Sequence, residues 1–254
     1  MSMSFDVAAE SYDRFMGRYS TPLSPQMADL AGVRMGQYVL DVGCGPGALT
    51  AELVARVGSG AVSAVDPSAP FVEAVRHRHP GVTVLRAPAE DLPFVDGSFD
   101  VALAQLVVHF MSDPARGLAE MARVTRRDGV IATCVWDHGG RKGPLRIFWQ
   151  AARELQPDVD DESHLAGVRE GHLAELFEAA GLRAIQEATL TVNVAHGNFD
   201  EWWEPFTRGV GPAGAHVKSL SPERQDELRE RCRALVPAGP IVLTARAWAA
   251  RGLA

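Results

Sequence analysis

The chain has 254 residues, 46% hydrophobic and 22% charged, with a formal net charge of −7. That composition can build a large core and excludes wholesale disorder, while scattered Gly and Pro and no lasting heptad exclude collagen-like and coiled-coil architectures. An acidic chain whose Arg residues form no basic run makes nucleic acid an unexpected partner.

From the N-terminus, no basic segment followed by an apolar run marks a signal peptide, and no apolar stretch approaches the ~20 residues of a bilayer span. Cys44, Cys134 and Cys232 lack metal-ligand or redox spacing, so neither a disulfide framework nor a metal site is expected, and a cytoplasmic location is. The segment 5–18 has helical period, with Tyr12, Phe15 and Tyr19 on one side. Short β-branched runs then predict strands at 38–41, 61–65, 82–85, 99–103 and 130–135. Between them, 47–57, 69–77 and 114–124 read as helices. This alternation predicts βαβ units and a parallel sheet covered on both faces. A helix at 171–180 and strands at 182–194 and 241–249 complete a seven-stranded, mostly parallel Rossmann-like α/β sheet.

One domain is expected over 1–254. Residues 1–36 form an N-terminal lid, 37–137 a cofactor-binding core, and 138–170 and 195–239 a helical cap. Residues 171–194 and 240–254 finish the sheet. Within the cap, Ser221-Pro222-Glu223 reads as a helix start. Trp202, Trp203 and Phe206 read equally as a substrate wall or as the cap's own core.

The most informative stretch is Asp41-Val42-Gly43-Cys44-Gly45-Pro46-Gly47, a strand running into a glycine loop and then a helix. Glycine supplies positive φ and close backbone approach, and the helix start offers free N–H groups, so the loop suits an adenosine cofactor. Asp41, two residues before the first Gly, would repel a pyrophosphate and attract an α-amino group. Asp66, after the second strand, can accept both ribose hydroxyls or merely cap the next helix.

With Val65-Asp66-Pro67-Ser68, Ala89-Glu90-Asp91-Leu92-Pro93-Phe94, Asp96-Gly97-Ser98-Phe99-Asp100, His109-Phe110-Met111-Ser112-Asp113-Pro114 and Ala119-Glu120-Met121-Ala122-Arg123-Val124, this stretch resembles the class I S-adenosylmethionine-dependent methyltransferases. The subgroup most like it comprises the ubiquinone/menaquinone biosynthesis methyltransferases. The resemblance implies that Gly43, Cys44 and Gly45 line the methionine part of S-adenosylmethionine, supported by Asp41, and that S-adenosylhomocysteine is the product. It further implies Asp66 on the ribose, Pro67 packed on the adenine, Ala89 offering its N–H, and Gln105 beside the sulfonium. Pro88 stands where the family often carries an adenine-binding Asp, so Glu90 or Asp91 takes over, or packing alone holds the ring. Ser11 to Ser20 resembles the subgroup's lead-in, implying a closing helix with Tyr12 and Tyr19 as aromatic walls and Arg18 near the methionine carboxylate.

His109, beyond the fourth strand, and His138, beyond the fifth, are the candidate catalytic bases, each with a packed structural histidine as its alternative. Cys44 reads as loop filling, Asp100 as a loop anchor, and Glu120 with Arg123 as a helix-surface pair. The expected function is methyl transfer to a small acceptor, quinone-like, polyketide or another secondary metabolite, by a monomer or homodimer. A nicotinamide-dependent oxidoreductase and a non-catalytic cofactor-binding protein of the same fold are the alternatives.

Overall fold

The computed structural model describes residues 9–254, so residues 5–8 of the expected first helix lie outside the described residues. Strands β1 (Val39–Val42), β2 (Val62–Asp66), β3 (Thr83–Arg86), β4 (Phe99–Gln105), β5 (Thr125–Trp136), β6 (Arg183–His196) and β7 (Ile241–Leu253) form one sheet. Its order is β3-β2-β1-β4-β5-β7-β6, with β1 to β5 parallel and β7 antiparallel to both neighbours. The chain therefore steps outward from β1 to β3 and restarts on the other side at β4. That reversal opens a crevice at the carboxyl ends of β1 and β4, where such sheets bind ligands.

Helix α1 (Ala9–Tyr12) runs through a π-helical turn, Asp13–Gly17, into α2 (Arg18–Ala31). There follow α3 (Ala48–Val57), α4 (Ala69–Arg78), α5 (Pro114–Val124), α6 (Arg146–Leu155), α7 (His172–Ala179), α8 (Phe199–Trp203), α9 (Gly211–Ser219) and α10 (Pro222–Ala234). Alternate strand residues feed two cores. Val39 packs with Leu23 and Met27 of α2 and Leu53 of α3, whereas Leu40 and Val42 pack with Leu118 of α5 and Phe177 of α7. This two-sided burial accounts for the unbroken apolar run of β1.

Local chemistry sets the helix limits. Asp113 caps α5 by accepting from Arg116 N at 3.0 Å, with Pro114 at the first helical position. Ser221 does the same for α10. β5 begins five residues before its predicted start, because Thr125 pairs with Phe99 and a bulge returns the strand to register at Val130. A Cβ on Gly129 would lie 2.8 Å from Asp100 O, so the chain can draw this close to β4 only with glycine there. Trp202, Trp203 and Phe206 are buried against Phe148 and Phe199, so they form the cap's core. No helix among the described residues is long and apolar enough to cross a membrane.

Candidate functional site

The glycine loop is shaped by three glycines in the left-handed region, Gly43 (φ +69°), Gly45 (φ +52°) and Gly47 (φ +101°). Gly43 N and Cys44 N both donate to Val65 O, at 2.8 and 3.0 Å, clamping the loop to the end of β2. A Cβ on Gly43 would sit 2.5 Å from Val107, so the turn after β4 lies directly against the loop. A Cβ on Gly45 would meet nothing within 4 Å; the backbone there borders open space.

Two buried carboxylates flank that space. Thr50 Oγ1 donates to Asp41 Oδ2 at 2.6 Å, while Asp41 Oδ1 is buried without a partner. Burial, reinforced by the charge of Asp66 and opposed by Thr50, pushes the Asp41 carboxyl up to about 7. Asp66 accepts Gly45 N and Ser68 N, each at 2.8 Å, and burial raises it to about 6 against those two donors. Asp66 thus ties the loop to the start of α4 while each oxygen keeps a further lone pair for a ligand hydroxyl. The Cys44 thiol is pushed well up by burial and the two acids, which leaves it a packing group.

The remaining cofactor candidates divide. Pro67 is exposed at the rim beside Asp66, and Ala89 is buried against the start of α5 at Gly117. Glu90 fixes the turn before α5 with one oxygen: its Oε1 accepts Ser112 N, Ser112 Oγ and Asp113 N. Asp91 is exposed. Gln105 donates through Nε2 to Ser20 O and Ser24 Oγ, both at 3.1 Å, bracing α2, while its Oε1 is buried without a partner.

The lid residues also separate. Tyr12 meets Phe71 of α4 edge-on at 5.4 Å, close enough for the Asp66 charge to add to the burial that raises its pKa. Asp13 receives Arg78 at 2.7 Å, and Arg78 also donates to Pro46 O at 2.8 Å, so one guanidinium joins the lid to the glycine loop. Arg18 and Tyr19 reach the end of β6, and Tyr19 also meets Trp136 edge-on at 6.3 Å. Arg18 binds Glu201 at 3.0 Å and His196 Nδ1 at 2.6 Å, and Tyr19 Oη lies 3.0 Å from His196 Nε2. Arginine only donates, so His196 accepts on Nδ1 and donates from Nε2 to Tyr19. Burial and Arg18 hold this imidazole down at about 4, hence neutral. The pair therefore ties the lid to β6 and the cap, with Arg18 held by Glu201.

His109, in the 3-10 turn Val108–Phe110, and His138, two residues past β5, come together with ring centroids 6.1 Å apart. Glu162, from the cap turn Glu162–His164, joins them; its Oε1 is 3.9 Å from His138 Nε2. All three are buried, and His109 is driven well below the ordinary imidazole range by burial and by His138. They line one cleft with Tyr12, Phe15, Leu106 and Trp136. Sequence reasoning missed Glu162; it sits in cap material with no motif, and only the fold brings it to the histidines. Leu106 holds φ +64°, a strained conformation for a branched residue, at the point where cleft and glycine loop meet.

Comparison with known proteins agrees with this geometry. The methyltransferase domain model matches residues 40–133. An uncharacterized methyltransferase of Mycobacterium tuberculosis is 39% identical over 137 residues, 54% of this chain and 53% of that protein. The match thus spans about half the length of such relatives. A malonyl-[acyl-carrier protein] O-methyltransferase of Pseudescherichia vulneris is 31% identical over 224 residues, 87% of this chain and 77% of that one. Among solved structures, the YcgJ protein of Bacillus subtilis superposes with a TM-score of 0.57 at 22% identity, covering 92% of this chain and 97% of its own, a likeness of fold. With the motif-bearing core and most of the cap aligned, the chain belongs to the class I S-adenosylmethionine-dependent methyltransferases.

Proposed function

We propose that this protein transfers a methyl group from S-adenosylmethionine to a small acceptor bound in the cleft beside His109 and His138. One observation carries the reading. Six buried side-chain polar atoms lack partners among the described residues, and four of them, on Asp41, Gln105, His109 and Trp136, lie at or just past the carboxyl ends of β1, β4 and β5. Buried polar atoms normally find partners, so such a concentration at the sheet's switch point is what a ligand site leaves.

S-adenosylmethionine would supply a methyl group already activated by its sulfonium charge. The loop Gly43–Gly47 and Asp41 would hold its amino-acid end, and Asp66 its ribose. Adenine would pack on Pro67 and Ala89, with Glu90 Oε2 or Asp91 as the acceptor for its amino group. The chain's task is alignment. The turn after β4 touches Gly43 through Val107 and the cleft through Leu106 and His109, so it sets donor against acceptor. Such alignment can account for ~7–11 kcal/mol of barrier lowering. Tyr12 and Phe15 of the lid exclude water from that junction. The apolar, aromatic cleft suits a planar acceptor, quinone-like or polyketide. The name of the malonyl-[acyl-carrier protein] relative favours oxygen as the accepting atom.

Calorimetry tests the reading. S-adenosylhomocysteine binds the native chain with one site, NADH does not, and Gly45→Ala weakens that binding at least tenfold while lowering stability by only about 1 kcal/mol, its backbone strain. Binding of NADH in place of S-adenosylhomocysteine would return the oxidoreductase alternative. Methyl transfer from labelled cofactor to any member of a phenol and enol panel removes the non-catalytic one.

A further inference from the structure

We propose that His109, His138 and Glu162 form a binding site for a single divalent transition cation of the Zn²⁺ class, open toward the acceptor cleft. The three side chains come from three separate turns, and one donor atom from each lies within 4.8 Å of the others. A cation about 2.0–2.2 Å from each ligand needs neighbouring ligand atoms roughly 3–3.5 Å apart. The 3.9 Å between His138 Nε2 and Glu162 Oε1 closes to that value with shifts below about an ångström. All three residues are 8% exposed or less, and His109 Nδ1 is buried with no partner.

The surroundings hold these ligands in place as outer partners do at metal centres. Trp149 Nε1 donates to Glu162 Oε2 at 2.8 Å, leaving Oε1 toward His138. Asp161, gripped by Arg153, accepts Ser163 N and fixes the turn that carries Glu162. Asp137 receives Gly140 N at 2.7 Å and Arg246 Nε at 2.8 Å, fixing the turn that carries His138.

Charge argues the same way. Among the described residues Glu162 makes no ion pair with Arg or Lys, although Arg141, Arg146 and Arg153 line the pocket on its other side; its carboxylate oxygens meet His138 and the Trp149 indole. Burying an uncompensated carboxylate is costly, and a divalent ion bound there would be its counter-charge. Two imidazoles and one carboxylate select zinc, cobalt, nickel or iron over magnesium, which prefers an all-oxygen shell. Three protein ligands leave coordination positions free, as at catalytic zinc sites, and here they face the cleft. The ligand class taken up there is an acceptor bearing an ionisable oxygen; this role, unlike the site itself, rests on the methyl-transfer reading. The cation would lower the pKa of that oxygen and fix its direction.

The test uses the full chain, stripped with a chelator and checked for retained folding by circular dichroism. Co²⁺ titration should produce visible absorption bands saturating at one equivalent, displaced by Zn²⁺ and not by Mg²⁺. His109→Ala and Glu162→Gln should each weaken binding at least tenfold, and Trp149→Phe by about tenfold through the loosened carboxylate. Absence of saturable Co²⁺ or Zn²⁺ binding to the native chain overturns the proposal, as does equal binding by folded His109→Ala and Glu162→Gln variants. S-adenosylhomocysteine affinity of the stripped chain, measured in parallel, reports on the methyl-transfer reading independently of the cation.

Discussion

Asp41 shows what a single buried acid with an unpartnered oxygen costs the free protein. Its carboxyl sits at about 7 and that of Asp66 at about 6, both raised from 3.8 chiefly by burial. A raised acid pKa means that the folded chain retains protons which the unfolded chain has released. Between about pH 4 and 7 the unfolded state therefore binds fewer protons, and stability falls as pH rises through the window. The cost is complete above the folded pKa of Asp41. Asp41→Asn cannot titrate and keeps an oxygen for Thr50. Its melting temperature relative to the native chain should accordingly be higher at pH 7.5 than at pH 5. An unchanged difference between the two pH values would refute the assignment. The same variant should bind S-adenosylhomocysteine more weakly at pH 7.5, because the ligand's ammonium group loses its counter-charge.

At the scale of elements, the sequence reveals whatever is written in local periodicity. Strands β1 to β4 and helices α3 to α5 fall within two residues of their predicted limits because apolar runs, capping residues and glycines mark them. Helix α2, beyond the helical segment expected at 5–18, carries Pro22 and Pro25 in its interior. A proline inside a helix costs about 3 kcal/mol or more, and here Leu23, Met27 and Ala28, all fully buried, offset it. The role of Arg78 was invisible, since its partners Asp13 and Pro46 lie 65 and 32 residues away. That guanidinium is the tie between lid and glycine loop, and its ion pair is half-exposed, so its worth to global stability is small. Arg78→Ala should leave the melting temperature within about 1–2 °C of native, while raising KM for S-adenosylmethionine several-fold and speeding amide exchange at residues 9–17. Native exchange in that segment would mean that the lid is held by Arg18 and Tyr19 alone.

At the scale of the molecule, the glycine loop and the histidine cleft draw on different parts of one fold. The motif-rich core carries the loop, Asp41 and Asp66. The cleft draws Tyr12 and Phe15 from the lid, Leu106, His109 and Trp136 from the core and Glu162 from the motif-free cap, so the family was legible in one stretch of sequence and the shape of the cleft in none. What joins cap and lid is aromatic packing. Phe206 stacks on Phe148 with centroids 4.7 Å apart and planes 5° from parallel, and meets Phe15 of the lid edge-on at 5.1 Å. Phe206 thus supports cap and lid together without touching the glycine loop. Its truncation to alanine removes a fully buried ring and should cost about 3–5 kcal/mol. If that loss falls on the cap first, unfolding should split into two transitions, with S-adenosylhomocysteine raising the midpoint of the second alone. Turnover should then drop far more than cofactor affinity, because alignment is lost while the loop survives. Phe206→Leu, which keeps most of the volume, should restore a single transition and most of the turnover. A single transition in Phe206→Ala, with affinity and turnover falling in parallel, would instead show that cap and core fold as one unit and that the cleft cannot be tuned apart from the cofactor site.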